Sequence, residues 1–192
     1  TLPPKSSIRE IRINQNPFSA EFDQLGFGRI EILTKPGTDV LHGRFAVQGN
    51  SSAFNTGSPY VAVDNQVAYH SVYYDGSISG SLRHVASFAF TAFRRNINDS
   101  AIVNAIVLDP SFNPVALNAG VSTPQTLTNL SPRLDYQIGR NNTLTARYQY
   151  SRNVRNNVGV GGFALPLQAD DAHTSEHLLQ LIDSQILGER AV

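Results

Sequence analysis

Two histidines and a glutamate stand within five residues, His173-Thr174-Ser175-Glu176-His177. On a helix this H-x-x-E-H spacing puts both imidazoles one turn apart, where they hold zinc while the glutamate serves as base. The stretch from Asp170 to His177 reads as a polar loop, however, and Glu189 is a distant candidate for a third ligand. His173, Glu176 and His177 are therefore candidates for incidental metal capture, with Asp170 and Asp171 nearby, and not for catalysis. No enzyme activity and no cofactor are expected.

Gly159-Val160-Gly161-Gly162 has the composition of a phosphate loop, but it follows a polar stretch and opens no helix whose N-terminus would receive the phosphate. It reads as a flexible loop. Asn98-Asp99-Ser100 and Asn141-Asn142-Thr143 fit the glycosylation sequon, a frequent chance match. There is no G-x-S-x-G elbow for a serine nucleophile, and without cysteine there is no thiolate nucleophile or zinc site. Arg94, Arg95, Arg152 and Arg155 fall at expected loop bases, where they are wet rim residues or contacts for a ligand or lipopolysaccharide.

Fifteen basic and fifteen acidic side chains cancel, which removes the electrostatic footprint of a nucleic-acid binder. Charged residues make up 16% of the chain, below the roughly 25% of soluble domains, and uncharged polar residues fill the gap. No run approaches the roughly 20 apolar residues of a transmembrane helix, so a bilayer would have to be crossed by strands. The 192 residues begin at Thr1 and contain no methionine, so sequence upstream is expected.

The elements that must position these residues are strands. Leu130, Pro132, Leu134, Tyr136 and Ile138 alternate with Ser131, Arg133, Asp135 and Gln137, and Leu144, Ala146, Tyr148 and Tyr150 alternate with Thr143, Thr145, Arg147, Gln149 and Ser151. Gly139-Arg140-Asn141-Asn142 between them is hairpin chemistry. Further strands are expected over 42–50, 70–82, 85–93 and 177–187, about six in all. The connections alternate long and short, with long outer loops at 51–68, 96–129 and 153–176. Long loops at one end and tight turns at the other are the habit of outer-membrane barrels. Tyr69, Tyr148 and Tyr150 near strand ends would suit an interfacial girdle. Alternation by itself fits a soluble antiparallel sandwich equally well.

Ahead of the first long strand lie Ile8-Arg9-Glu10-Ile11-Arg12-Ile13, Asn16-Pro17-Phe18-Ser19-Ala20-Glu21-Phe22 and Gly26-Phe27-Gly28-Arg29-Ile30-Glu31-Ile32-Leu33-Thr34-Lys35. This order resembles the end of the plug domain of TonB-dependent outer-membrane receptors, closest in wording to the Oar-like subgroup with a carboxypeptidase-regulatory-like domain upstream. The resemblance is specific over about 8–43. It implies a mainly β chain: the C-terminal part of a plug domain at 1–41, then antiparallel up-and-down strands of a partial outer-membrane β-barrel at 42–192. It also implies energy-coupled uptake in the bacterial outer membrane, with the lipid bilayer, a TonB-type energy-transducing protein and a small ligand, peptide or glycan as partners. The TonB contact would be made through N-terminal sequence that is missing here. About six strands cannot close a barrel of the roughly 22 that such transporters use. The expectations of a different class are a soluble extracellular β-sandwich for binding or adhesion, and a zinc hydrolase.

Overall fold

The structure, a computed structural model, describes residues 8–14, 29–35, 37–54, 56 and 68–186. Within them the fold is mainly β, with no α-helix. β1 (Ile8–Asn14) and β2 (Arg29–Thr34) form a two-stranded antiparallel sheet. A second sheet of six strands runs in strict sequence order: β3 (His42–Ser51), β4 (His70–Arg83), β5 (Ala86–Leu108), β6 (Pro114–Gly139), β7 (Asn142–Val158) and β8 (Asp170–Gln185). Every neighbouring pair is antiparallel, so this is an up-and-down meander with β3 and β8 as open edges.

All six expected strands are present, and several are longer than the alternation indicates. The stretch 96–129 is not a loop. It is the outer half of the β5–β6 hairpin, in continuous register from Ala86↔Tyr136 to Leu108↔Pro114, with only 109–113 left to turn. The 153–176 loop likewise shrinks to 159–169, because Asn153–Val158 extends β7 and Asp170–Glu176 opens β8. The physical reason is common to both. Where a strand projects beyond a one-sided apolar surface, neither face must be apolar, and the backbone ladder holds the strand without a period-two signal. The expected loop 51–68 lies largely outside the described residues; Ser51 ends β3 and 52–54 form a 3-10 turn.

The asymmetry of the two ends survives in altered form. His84-Val85 and Arg140-Asn141 make two-residue turns at one end, while the β5–β6 projection and the 159–169 connection sit at the other. β6 carries prolines at the points its ladder can spare. Pro132 falls where the β6–β7 pairing is interrupted between Leu130 and Arg133, and Pro124 lies just past the last β6–β7 pair, Gln125↔Arg155.

At the tip of the long hairpin, Asp109 accepts the N–H groups of Ser111 and Asn113, each at 2.8 Å, and the Asn113 amide at 3.3 Å. The Asn113 backbone N–H, with the other donors, holds the Asp109 carboxyl below the ordinary aspartate range. A depressed folded-state pKa means the stabilisation is present above the unfolded value, near 3.9, and is lost as pH falls through the folded one. Protection factors at Ser111 and Asn113, exchange rates referred to the unfolded-chain rate at the same pH, are therefore expected to hold at pH 5–7 and to fall on acidification below about pH 4. Asp109→Ala should give the low protection at every pH.

Candidate functional site

The register sorts side chains of the six-stranded sheet onto two unlike faces. On one face lie successive cross-strand rows: Phe45, Ala92, Leu130, Tyr150 and His177; then Ile78, Phe90, Pro132 and Leu179; then Phe88, Leu134, Ala146 and Leu181; then Tyr136 and Leu144. These apolar groups point into solvent, with Phe45 72%, Leu179 66% and Leu181 67% exposed. On the other face are the residues that are buried, and they are polar: Asp75 (4% exposed), Thr91, Asn129 (0%), Gln149 and Ser151. Val103 is the one buried hydrophobic side chain among the described residues. The sheet is thus polar inside and apolar outside.

The apolar band has edges. One row beyond Leu130 the outward residues of β5–β8 become Arg94, Thr128, Arg152 and Ser175, while β3 and β4 still carry Val47 and Tyr74, and past Ile138 the chain turns through Arg140-Asn141. From Leu130 to Ile138 is about 27 Å along the strand, at about 3.4 Å per residue. A barrel tilt of about 40° brings that to about 20 Å, near the roughly 25 Å apolar band of outer-membrane barrels. Aromatic side chains occur in every row, from Phe45 and Tyr150 through Phe90 and Phe88 to Tyr136. Tyr148 Oη and His177 Nδ1 are 2.7 Å apart, and the His177 ring stacks against Tyr150 at 5.0 Å. Tyr148 and Tyr150, expected near strand ends, sit well inside β7. Tyr69 lies just before β4.

His173, Glu176 and His177 are neither in a loop nor on a helix. They are rungs of β8, opposite Val154, Ser151 and Tyr150. In a strand, His173 and His177 lie about 13 Å apart, and Glu176 points to the opposite face. The three cannot share an ion, and no metal-capable group of three exists among the described residues. Asp171 instead accepts the Asn157 N–H at 3.1 Å. Glu189 lies outside the described residues. The Gly159–Gly162 stretch also has another use. The Gly162 N–H donates to Ile102 O at 2.9 Å and its carbonyl accepts from Asn104 at 2.8 Å, while the Gly161 N–H donates to Ala164 O. These amides dock the connection on β5 over Val103 and are not free for a phosphate. The positive φ of Gly159, Gly161 and Gly162 is what lets the chain make that return.

The four arginines, expected at loop bases, lie within β5 and β7 and divide by parity. Arg94 and Arg152 are on the apolar face just past its edge, and Arg95 and Arg155 are on the polar face. Sequence parity held this information, but it needed the strands to continue past Phe93 and Ser151 before it could be used.

The polar face is closed over by the segment that follows β2. Arg133 reaches Asp135 through Nε and Nη2 at 2.8 Å, and its Nη1 donates to Thr34 Oγ1 at 3.0 Å. Thr145 Oγ1 donates to the same carboxylate at 2.7 Å. Thr38 Oγ1 lies 3.2 Å from Ser79 Oγ. Gly37 passes so near Ser87 that a Cβ there would come within 2.5 Å of the serine Cβ. Beneath this segment is a cavity of about 280 Å³. All six strands contribute to its wall, so the sheet is curled around it. Its cationic lining is Lys35, Arg44, Arg133 and Arg147, and no carboxylate lines it. This cavity had no signature in the sequence, since its walls come from seven separated segments.

Comparison with known protein families, with characterised proteins and with solved structures gives no match.

Proposed function

We propose that the chain is wall and plug-end sequence of an outer-membrane receptor of the TonB-dependent kind, with β3–β8 facing lipid and Thr34, Gly37 and Thr38 lying against the inner face. One observation carries this: an antiparallel meander whose exposed face is an apolar band and whose buried residues, Val103 apart, are polar. A chain in water gains by the opposite arrangement, whereas a barrel wall in a bilayer is apolar outward and polar inward. The hydrogen bonds from Arg133 to Thr34 and the 37–38 contacts add support, because plug-end sequence then meets the inner wall. In this reading the whole receptor imports a small ligand, peptide or glycan, and a TonB-type partner works through plug sequence N-terminal to β1. A soluble sandwich would need the apolar face packed on a second sheet, and Val103 is the lone buried hydrophobic side chain among the described residues.

The test uses one substitution on each face of one strand. Phe90 points outward, while Phe93 points inward beside Tyr73, with ring centroids 5.7 Å apart. The chain has no tryptophan, so Phe90→Trp and Phe93→Trp each give a single tryptophan that can be excited selectively at the red edge, beyond tyrosine absorption. In vesicles of brominated phosphatidylcholine, strong quenching is expected for Phe90→Trp and little for Phe93→Trp. Equal quenching of the two, or none, would overturn the proposal.

A further inference from the structure

The cavity beneath the 34–38 segment has unbalanced charge. Arg133 is paired with Asp135, and Arg44 lies 3.8 Å from Asp75. Arg147 and Lys35 also line the space, and neither has an ion-pair or hydrogen-bond partner among the described residues. Arg147 is directly opposite Arg133 in the β6–β7 register, so two guanidinium groups face each other across neighbouring strands. Like charges so placed repel, unless an anion lies between them.

A second, independent sign lies on β5. Thr91 is 6% exposed and lines the same cavity, and its Oγ1 has no hydrogen-bond partner. A hydroxyl buried in this way is costly unless something in the cavity accepts its proton. A guanidinium fork, an ammonium and a hydroxyl donor are the set that recognises an oxyanion, because an arginine fork matches two oxygens of a carboxylate or phosphate at once.

We propose that this cavity binds a single oxyanion, phosphate or carboxylate, between Arg147, Lys35 and Thr91, with the Arg133–Asp135 pair as its floor. The inference does not depend on whether the outer face meets lipid, since it concerns the polar face alone. The bound anion would lie against both the sheet and the segment after β2, and so would fasten one to the other.

The test is titration calorimetry of the full 192-residue chain in a zwitterionic detergent and a low-chloride buffer, with inorganic phosphate in one arm and acetate in the other. Saturable binding of at least one anion at a single site is expected, and the stronger arm identifies the class. Arg147→Gln should weaken it at least tenfold. Thr91→Val, nearly isosteric, should weaken it about threefold to tenfold while leaving the unfolding midpoint of the anion-free chain unchanged or raised. Arg152→Gln, on the opposite face, should leave it as in the parent. Absence of saturable binding in both arms, or parental affinity in either Arg147→Gln or Thr91→Val, would overturn the proposal.

Discussion

Leu134→Arg is expected to destabilise the bilayer-folded chain by about 2–4 kcal/mol, the range for a cation placed near the midplane on the lipid side of a barrel wall. Leu134 sits in an inner row of the exposed band, between Phe88 and Ala146. In water the same change would be near neutral, because the side chain is already substantially exposed. The sign and size of the effect therefore report the solvent this face meets. Thr126→Arg, on the same face of β6 but beyond the row that carries Arg94 and Arg152, is the control and should cost less than about 1 kcal/mol. Denaturant titrations in lipid vesicles, followed by protection from protease, give both numbers. Equal small effects for the two variants would remove the case for a lipid-facing surface.

The second large effect belongs to the polar face. Asp135→Ala is expected to cost about 3 kcal/mol, because it removes the carboxylate from a largely buried pair and leaves Arg133 opposite Arg147 without its neutralising partner. Asp135→Asn should cost less, since its carbonyl can still accept from Thr145. Arg147→Gln placed in the Asp135→Ala chain should recover at least 1 kcal/mol by ending the repulsion, a coupling that a double-mutant cycle measures directly. Independent, additive effects would show that the two arginines do not sense each other. Thr34 is a further readout, because Arg133 oriented by Asp135 holds the end of β2 to the sheet. Protease cleavage between 34 and 41 should quicken in the Asp135→Ala chain.

The sequence made some of this legible and hid the rest for definable reasons. Period-two alternation located β6 and β7 in the band, where Leu134 and Ala146 must differ from Arg133 and Arg147 in polarity because their surroundings differ. It failed over 96–129, where polar Asn98, Ser122 and Thr126 stand on the same face that carries Leu130 and Leu134 further along, so that no polarity difference forces alternation. The same failure displaced the H-x-x-E-H residues. A motif defined on a helix loses its geometry on a strand, and the strand character of 170–176 comes from pairing with 152–158, a long-range fact. The resemblance over Ile30–Lys35 pointed to a strand, and β2 is there, while Gly26 and Gly28 lie outside the described residues. The cavity depends on curling six strands and laying 34–38 across them, so none of its residues is marked by local spacing.

The strict sequence order of the meander also bears on how the chain assembles. Each strand of the large sheet bonds only to its sequence neighbours, so pairing can proceed like a zipper with no long-range search. The two-residue turns at His84-Val85 and Arg140-Asn141, and the short tip after Leu108, close almost without entropic cost, which makes β4 through β7 the natural nucleus. Docking β3 requires closing 52–69, about 1 kcal/mol more than closing 109–113 by the logarithmic dependence on loop length. An edge that arrives last is exposed longest. During that interval β4 carries the unpaired backbone, and the rate of β3 docking sets the window in which a second chain can join there instead.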